Sequence, residues 1–399
     1  MTFQPEYQMP VLPRALEIQG EISAIRRDIH AHPELAYEEN RTSDIVAAKL
    51  QEWGLEVTRG LGRTGLVGTL RKGNSVKAIG LRADMDCLPM DETNDFEHRS
   101  QNPGRMHACG HDGHTAMLLG AAKVLSEKRD FEGAVHFIFQ PAEEGGGGAR
   151  EMIADGLFDK FPCDAVFAIH NKPGIPLGHI VTKGGPLLAA ADRWDIRIAG
   201  KGGHAAHPHL TIDPMVAGAN IVLALQTIVS RNIDPIDATV VTVGFFKAGS
   251  AYNVIPTDVH IGGTTRTTTP ENRALVKRRI EEICRGAEQM HGVKIEIEHK
   301  PGYPPTVNNV ERARFAIDVA AGVCGEHAVS DNTRPSMGAE DFSYMLERVP
   351  GAMVWLGNGG GADAVSLHNS RYDFNDMAIP FGVSFFVRTV ERFLGDQQT

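Results

Sequence analysis

The densest run of chemically capable side chains is Met106–His114, which reads Met-His-Ala-Cys-Gly-His-Asp-Gly-His. It holds three histidines, a cysteine and an aspartate, with two glycines that let the backbone turn sharply. Thiolate and imidazole donors this close together favour zinc, manganese or cobalt over calcium. Further donors follow downstream, so the candidate ligands are Cys109, His111, Glu144, His170 and His368. That is more than one tetrahedral zinc requires, and it suits two ions sharing a bridging ligand or water. Cys109 has the better claim to bridge, because a thiolate has lone pairs for both ions. The adjacent acids Glu143 and Glu144 invite a division of labour, one holding metal and the other acting as general base toward a metal-activated water. Residue types alone leave open which does which.

The elements that must position these groups alternate. Lys77–Leu81 is a short apolar strand running into Asp84 and Asp86, Ala134–Phe139 runs into Glu143 and Glu144, and Ala165–Ile169 runs into His170. Helical spacing over Thr115–Ser126 places the central cluster in a loop that opens a helix. Strands alternating with helices imply a mostly parallel sheet, which binds ligands beyond the carboxyl ends of its strands. Two helices, over Leu16–His30 and Glu38–Gly54, precede this pattern. After Gly184-Gly185-Pro186 the order becomes strand (Arg193–Ala199), helix (Asp213 to about Arg231), two strands (Thr239–Phe246, Val259–Arg266), helix (Pro270–His291) and strand (Lys294–His299). This β-α-β-β-α-β order is a ferredoxin-like pattern. The first pattern then resumes with a helix over Val310–Cys324, a strand over Ala352–Leu356 and a closing helix over Ile379–Leu394. The expectation is an α/β catalytic domain in two parts, 1–186 and 303–399, around an inserted domain at 187–302, with hinges near Thr182–Pro186 and Tyr303–Asn309.

Composition narrows the class. The 399 residues are 42% hydrophobic and 23% charged, as in a soluble globular protein, and long enough for two domains. A net charge of −10 argues against nucleic-acid binding, which needs a basic face. Five widely spaced cysteines suit a reducing compartment, and no apolar run approaches the roughly 18–20 residues of a membrane span. Met1–Pro13, with three prolines and no apolar core, does not read as a signal peptide. A cytoplasmic protein is expected.

Long motifs carry a resemblance. Arg-Arg-Asp-Ile-His-Ala-His-Pro-Glu from Arg26, LRADMDCLPM from Leu81, MHACGHDGHTAMLLGAA from Met106, FQPAEEGGGGA from Phe139, GKGGHAAHPH from Gly200, YNVIP from Tyr252, SMGAEDF from Ser336 and SLHNSRYDFND from Ser366 run nearly end to end. The chain resembles the metal-dependent amidohydrolases of the aminoacylase/carboxypeptidase superfamily, in the branch of hippurate hydrolases, N-acyl-amino-acid amidohydrolases and auxin-conjugate hydrolases. The resemblance implies a zinc-peptidase-like catalytic domain with a lid and dimerisation domain. It implies two divalent ions per subunit (manganese, zinc, cobalt or nickel) on Cys109, His111, Glu144, His170 and His368, with Glu143 as general base. His204 matches a residue that reaches the reacting carbonyl, often from a partner subunit. Asn253 matches a holder of the carbonyl oxygen and Arg266 a holder of the product carboxylate. Asp84 stands where other branches place a ligand histidine, and Asp86 is read as orienting a ligand from behind.

The expected activity is hydrolysis of N-acyl amino acids, small-molecule substrates, by a homo-oligomer: a dimer through the inserted domain, or a tetramer. A metallo-dipeptidase or carboxypeptidase is the nearest competitor. A cysteine hydrolase using Cys109 as nucleophile would work without metal, and a non-catalytic metal-binding protein could use the same scaffold.

Overall fold

Four strands buried along nearly their whole length form the centre of one sheet: Ala78–Asp84, Gly133–Gln140, Ala165–Lys172 and Gly351–Gly357. Continuous apolar runs of this kind are sheets covered on both faces. The computed structural model describes residues 10–128 and 130–395, so most of the stretch read for a signal peptide, residues 1–9, lies outside the described residues. The four strands are mutually parallel, in the order Gly133–Gln140, Ala78–Asp84, Ala165–Lys172, Gly351–Gly357.

The sheet extends to eight strands through edges that the sequence pattern does not announce. On one side an antiparallel hairpin, Glu56–Leu61 and Gly65–Lys72, pairs against Gly133–Gln140. On the other, the two-residue strands Ile180–Val181 and Val329–Ser330 close the edge, the first antiparallel to Gly351–Gly357. The sheet is therefore parallel at the strands whose carboxyl ends carry Asp84, Glu143 and His170, and mixed at its rims. Strand Ala78–Asp84 is longer than the apolar run Lys77–Leu81, because Arg82 and Asp84 are buried as an ion pair and extend the ladder.

Helix His111–Lys128 is buried almost all round. It begins four residues before the apolar period, so His111, Asp112 and His114 are helical rather than in the preceding loop. It packs on the closing helix Ile379–Leu394 at short range: a Cβ on Gly120 would stand 2.6 Å from Val383 Cγ2. The N-terminal helical stretch divides into Pro13–Glu17 and Gln19–Ala31, and the next helix runs Asn40–Glu52.

The chain divides into two compact units, Met1–Gly185 with Val307–Arg334 and Tyr344–Thr399, and Pro186–Thr306 with Pro335–Ser343. The second unit is a four-stranded antiparallel sheet in the order Thr239–Ala248, Asp258–Thr267, Ala190–Ala199, Lys294–Pro301. Two helices, Pro214–Asn232 and Pro270–His291, pack on it over a core of Trp194, Ile196, Ile221, Ile261 and Ile280. Asp213 caps the first helix by accepting from Met215 N at 2.8 Å, and proline takes its first position.

Candidate active site

In the first unit, the carboxyl ends of the central strands converge on Cys109. Gly110, at φ +91°, turns the chain from Cys109 into the helix, and a Cβ there would stand 2.6 Å from Asn171 Oδ1. Cys109 Sγ lies 3.5 Å from His170 Nε2. The other nitrogen of His170, Nδ1, donates to the Asn171 carbonyl at 2.8 Å, which leaves a lone pair on Nε2 facing the thiol.

His111 is oriented in the same way. Its Nδ1 lies 2.9 Å from the Asp86 carbonyl oxygen and 3.3 Å from Asp86 Oδ1, so the proton belongs on that nitrogen. Its Nε2 is buried without a hydrogen-bond partner and stands 4.0 Å from Glu144 Oε1. His368 Nε2 approaches the same carboxylate oxygen at 3.2 Å. His368 is held there with its backbone in the left-handed region, φ +60°, and its N–H donates to the Ala108 carbonyl at 2.8 Å.

Asp86 has a second task. Its two carboxylate oxygens accept from the backbone N–H groups of Glu143 (3.0 Å) and Glu144 (2.9 Å), which pins the acidic turn against the helix start. The turn is strained at Ala142, φ +54°, whose N–H donates to buried Glu39 Oε1 at 2.8 Å. Burial, and then the charge of Asp86, push the Glu39 carboxyl up to about 7.

These positions yield overlapping donor groups, each with ligand atoms within 4.8 Å of one another: Cys109, His111 and His170; Cys109, Glu144 and His368; and His111, Glu143 and Glu144. Electrostatics follow from the crowding. Burial opposes charge at His111, but Asp84 and Cys109 outweigh it and raise its pKa well above the usual value. Hydrogen bonds to Cys109 and Glu144 raise His368 to about 10. Burial pushes the Cys109 thiol up and holds His170 well below the usual range. The acidic neighbours that favour the charged forms of His111 and His368 would favour a bound cation in the same place. A buried imidazole nitrogen without a partner, His111 Nε2, and a mixed S, N and O donor set fit transition-metal ions. The raised thiol is the opposite of what a cysteine nucleophile requires.

Beneath the donors lies a layer that spacing does not reveal. Asp84 accepts from Arg82 Nη1 at 2.8 Å and pairs with His114 Nδ1 at 2.5 Å, while His114 Nε2 accepts from the Asn171 N–H at 3.0 Å. His114 thus bridges the strand that carries His170 and the strand that ends in Asp84. Asp84 Oδ2 stands 3.7 Å from His111 Nε2. A second buried set holds Asp112, the neighbour of His111: Arg26 Nε at 2.8 Å and His30 Nδ1 at 2.8 Å, with Glu92 3.2 Å from His30 Nε2. The i,i+4 spacing of Arg26 and His30 on an amphipathic helix was the available signal for it.

The remaining candidates lie in the second unit. His204 forms a two-residue strand with Gly203 and pairs antiparallel with Val254 and Ile255, while the Asn253 carbonyl accepts from Ala205 N at 3.0 Å. This brings His204 and Asn253 together, both exposed. Arg266 lies near the other end of strand Asp258–Thr267, half-buried, with Nη1 donating to Thr264 Oγ1 at 2.5 Å and the Thr265 carbonyl at 2.9 Å. Within this unit, His204 and Asn253 are neighbours and Arg266 is not.

Comparison with known proteins agrees with this chemistry. The chain is 43% identical over 386 residues to a hippurate hydrolase of Campylobacter jejuni, covering 97% of this chain and 100% of that protein. It is 41% identical over 378 residues to IAA-amino acid hydrolase ILR1-like 4 of Arabidopsis thaliana, covering 93% and 85% respectively. The crystal structure of the Bacillus subtilis YxeP protein, a dinuclear metal binding peptidase, superposes with a TM-score of 0.84 at 31% identity, covering 95% of this chain and 99% of that one. The model of peptidase family M20/M25/M40 matches residues 80–392, and the chain belongs to that family.

Proposed function

We propose that the protein hydrolyses the amide bond of N-acyl amino acids, releasing a carboxylic acid and an amino acid, with two divalent ions (manganese, zinc, cobalt or nickel) on Cys109, His111, Glu144, His170 and His368. The observation that carries this reading is that Cys109 belongs to two donor groups at once, the arrangement a bridging thiolate needs. Ions bound there would polarise the acyl carbonyl and lower the pKa of a water to about 7. Glu143, fixed through its backbone by Asp86, takes the proton of that water and passes it to the departing amine nitrogen. His204 donates to the oxygen on which charge develops, with Asn253 beside it. Arg266 clamps the amino-acid carboxylate through its planar fork.

A homodimer through the inserted unit completes the site in this reading. Asp258, at the end of its strand nearer the His204–Asn253 pair, is eight residues from Arg266, roughly 26 Å at about 3.3 Å per residue. One small substrate does not span that distance, so the two ends act on it from different copies. The apolar residues Val216 and Leu223, exposed on helix Pro214–Asn232, and Phe245 and Phe246, on the edge strand Thr239–Ala248, supply a surface for pairing. All five cysteines are free thiols, which suits the cytoplasm. No helix among the described residues is long and apolar enough to cross a membrane.

The test is hydrolysis of hippurate, N-acetyl-methionine, an indole-acetyl amino acid and a dipeptide, with and without chelator. Chelator-sensitive release of amino acid from the acylated compounds is expected. Cleavage of the dipeptide alone, or turnover that resists chelation, overturns the reading.

A further inference from the structure

Strand Ala165–Lys172 ends two residues beyond His170, and residues two apart on a strand share a face. Lys172 therefore stands on the His170 face, at the carboxyl end of the sheet where ligands enter. Its Nζ lies 4.8 Å from the centroid of Trp355. Trp355 is paired with His170 in the parallel ladder, and the two rings are 5.3 Å apart. The ammonium is thus fixed beside the metal-donor cluster by an aromatic platform.

Among the described residues, Lys172 has no aspartate or glutamate partner. Half-buried cations elsewhere in the protein do: Arg273 is paired with Asp192, and Lys123 with Glu21. The Cys109 sulfur is the group of opposite sign that acts on Lys172, but burial disfavours its charge and metal ions there would take it up, so it is no standing counter-ion. Holding a half-buried charge without a counter-ion is unfavourable, and a ligand that brings the counter-ion recovers the difference.

We propose that Lys172 is a specificity-determining residue that receives a second carboxylate of the substrate, additional to the α-carboxylate assigned to Arg266. The preferred substrates are then N-acyl amino acids with an acid either at the far end of the acyl chain or on the amino-acid side chain. This rests on the amide-hydrolase reading above. A single ammonium at the carboxyl end of the sheet, held in place by buried Trp355, suits a dicarboxylate whose second acid meets Nζ.

The experiment compares kcat/KM of the metal-loaded wild type, Lys172→Met and Lys172→Arg on two matched pairs. N-glutaryl-methionine against N-valeryl-methionine tests the acyl chain, and N-acetyl-glutamate against N-acetyl-glutamine tests the side chain. In at least one pair the wild type should favour the acid. Lys172→Met should lower that preference about tenfold, mainly through KM, as expected for one charge-assisted hydrogen bond, and Lys172→Arg should keep most of it. Lys172→Gln carries the same comparison if the Met variant does not fold. Turnover of the neutral substrates with no acid preference, or a preference unchanged in Lys172→Met and Lys172→Gln, overturns the proposal and leaves the amide-hydrolase reading standing. Absence of turnover on all four compounds overturns both.

Discussion

The two units treat their polar residues in opposite ways. In the first, Arg26, Arg82, Asp84, Asp112 and His114 are all within about 1% of complete burial and locked to one another. In the second, His204 and Asn253 are exposed and held mainly through backbone pairing. A donor set for metal must keep its geometry before the ion arrives, and buried charge pairs achieve this because each is costly to break. Groups that act on substrate late in the reaction can stay solvated until a partner surface and a ligand desolvate them.

The contrast can be broken most sharply at the acidic turn. Glu143→Gln should keep its metal, measured by elemental analysis, while turnover falls by about 10²–10⁴. Near-normal activity would remove Glu143 from the mechanism. In the second unit, His204→Ala should lower kcat by about 10²–10³ with stability changed by no more than about 0.5 kcal/mol, because the residue is exposed. A large loss of stability would show that the two units are not so different. Asp86→Ala should weaken metal binding by about 10–100-fold, because it removes the side-chain contact on His111, leaving only the backbone carbonyl, and releases both N–H groups of the acidic turn. Unchanged affinity by competition with a chelating dye would refute the clamp.

A pH measurement sharpens the same comparison. Burial would lower the pKa of His30, but the charge and hydrogen bond of Asp112, with that of Glu92, raise it to about 9. Unfolded, the imidazole titrates near about 6.5. Its contribution, on the order of 3 kcal/mol, is complete below pH 6.5 and is lost as pH rises through 9. Urea unfolding at pH 6 and at pH 9.5 should show this loss in the wild type and not in His30→Gln. Equal slopes in both proteins would mean that His30 is not charged in the fold.

Much of this was legible in the sequence because metal chemistry concentrates donors. Cys109 and His111 are two residues apart, and Glu143-Glu144 and His170 each follow an apolar strand, so local spacing was enough. The central strands were readable for the same reason, being uninterrupted apolar runs. The hairpin Glu56–Lys72 was not, because its first strand is largely exposed and carries no such run. Contacts such as His114 with Asp84, thirty residues apart, and Arg26 with Asp112, exist only once helix and sheet have packed. Lys172 gave no signal either, since a lone lysine after a strand is ordinarily a solvated charge.

The left-handed residues Ala142 and His368 have a consequence for engineering. Each side chain in that region costs about 1–2 kcal/mol relative to an unstrained backbone; Ala142 adjoins the donor cluster and His368 belongs to it. Ala142→Gly should raise the melting temperature by a few degrees, from about 1 kcal/mol of relieved strain. The same change at His368 would relieve its backbone while deleting a donor. Selection for thermal tolerance would therefore find its easiest gains beside the catalytic centre, where heat resistance and turnover draw on the same few torsion angles.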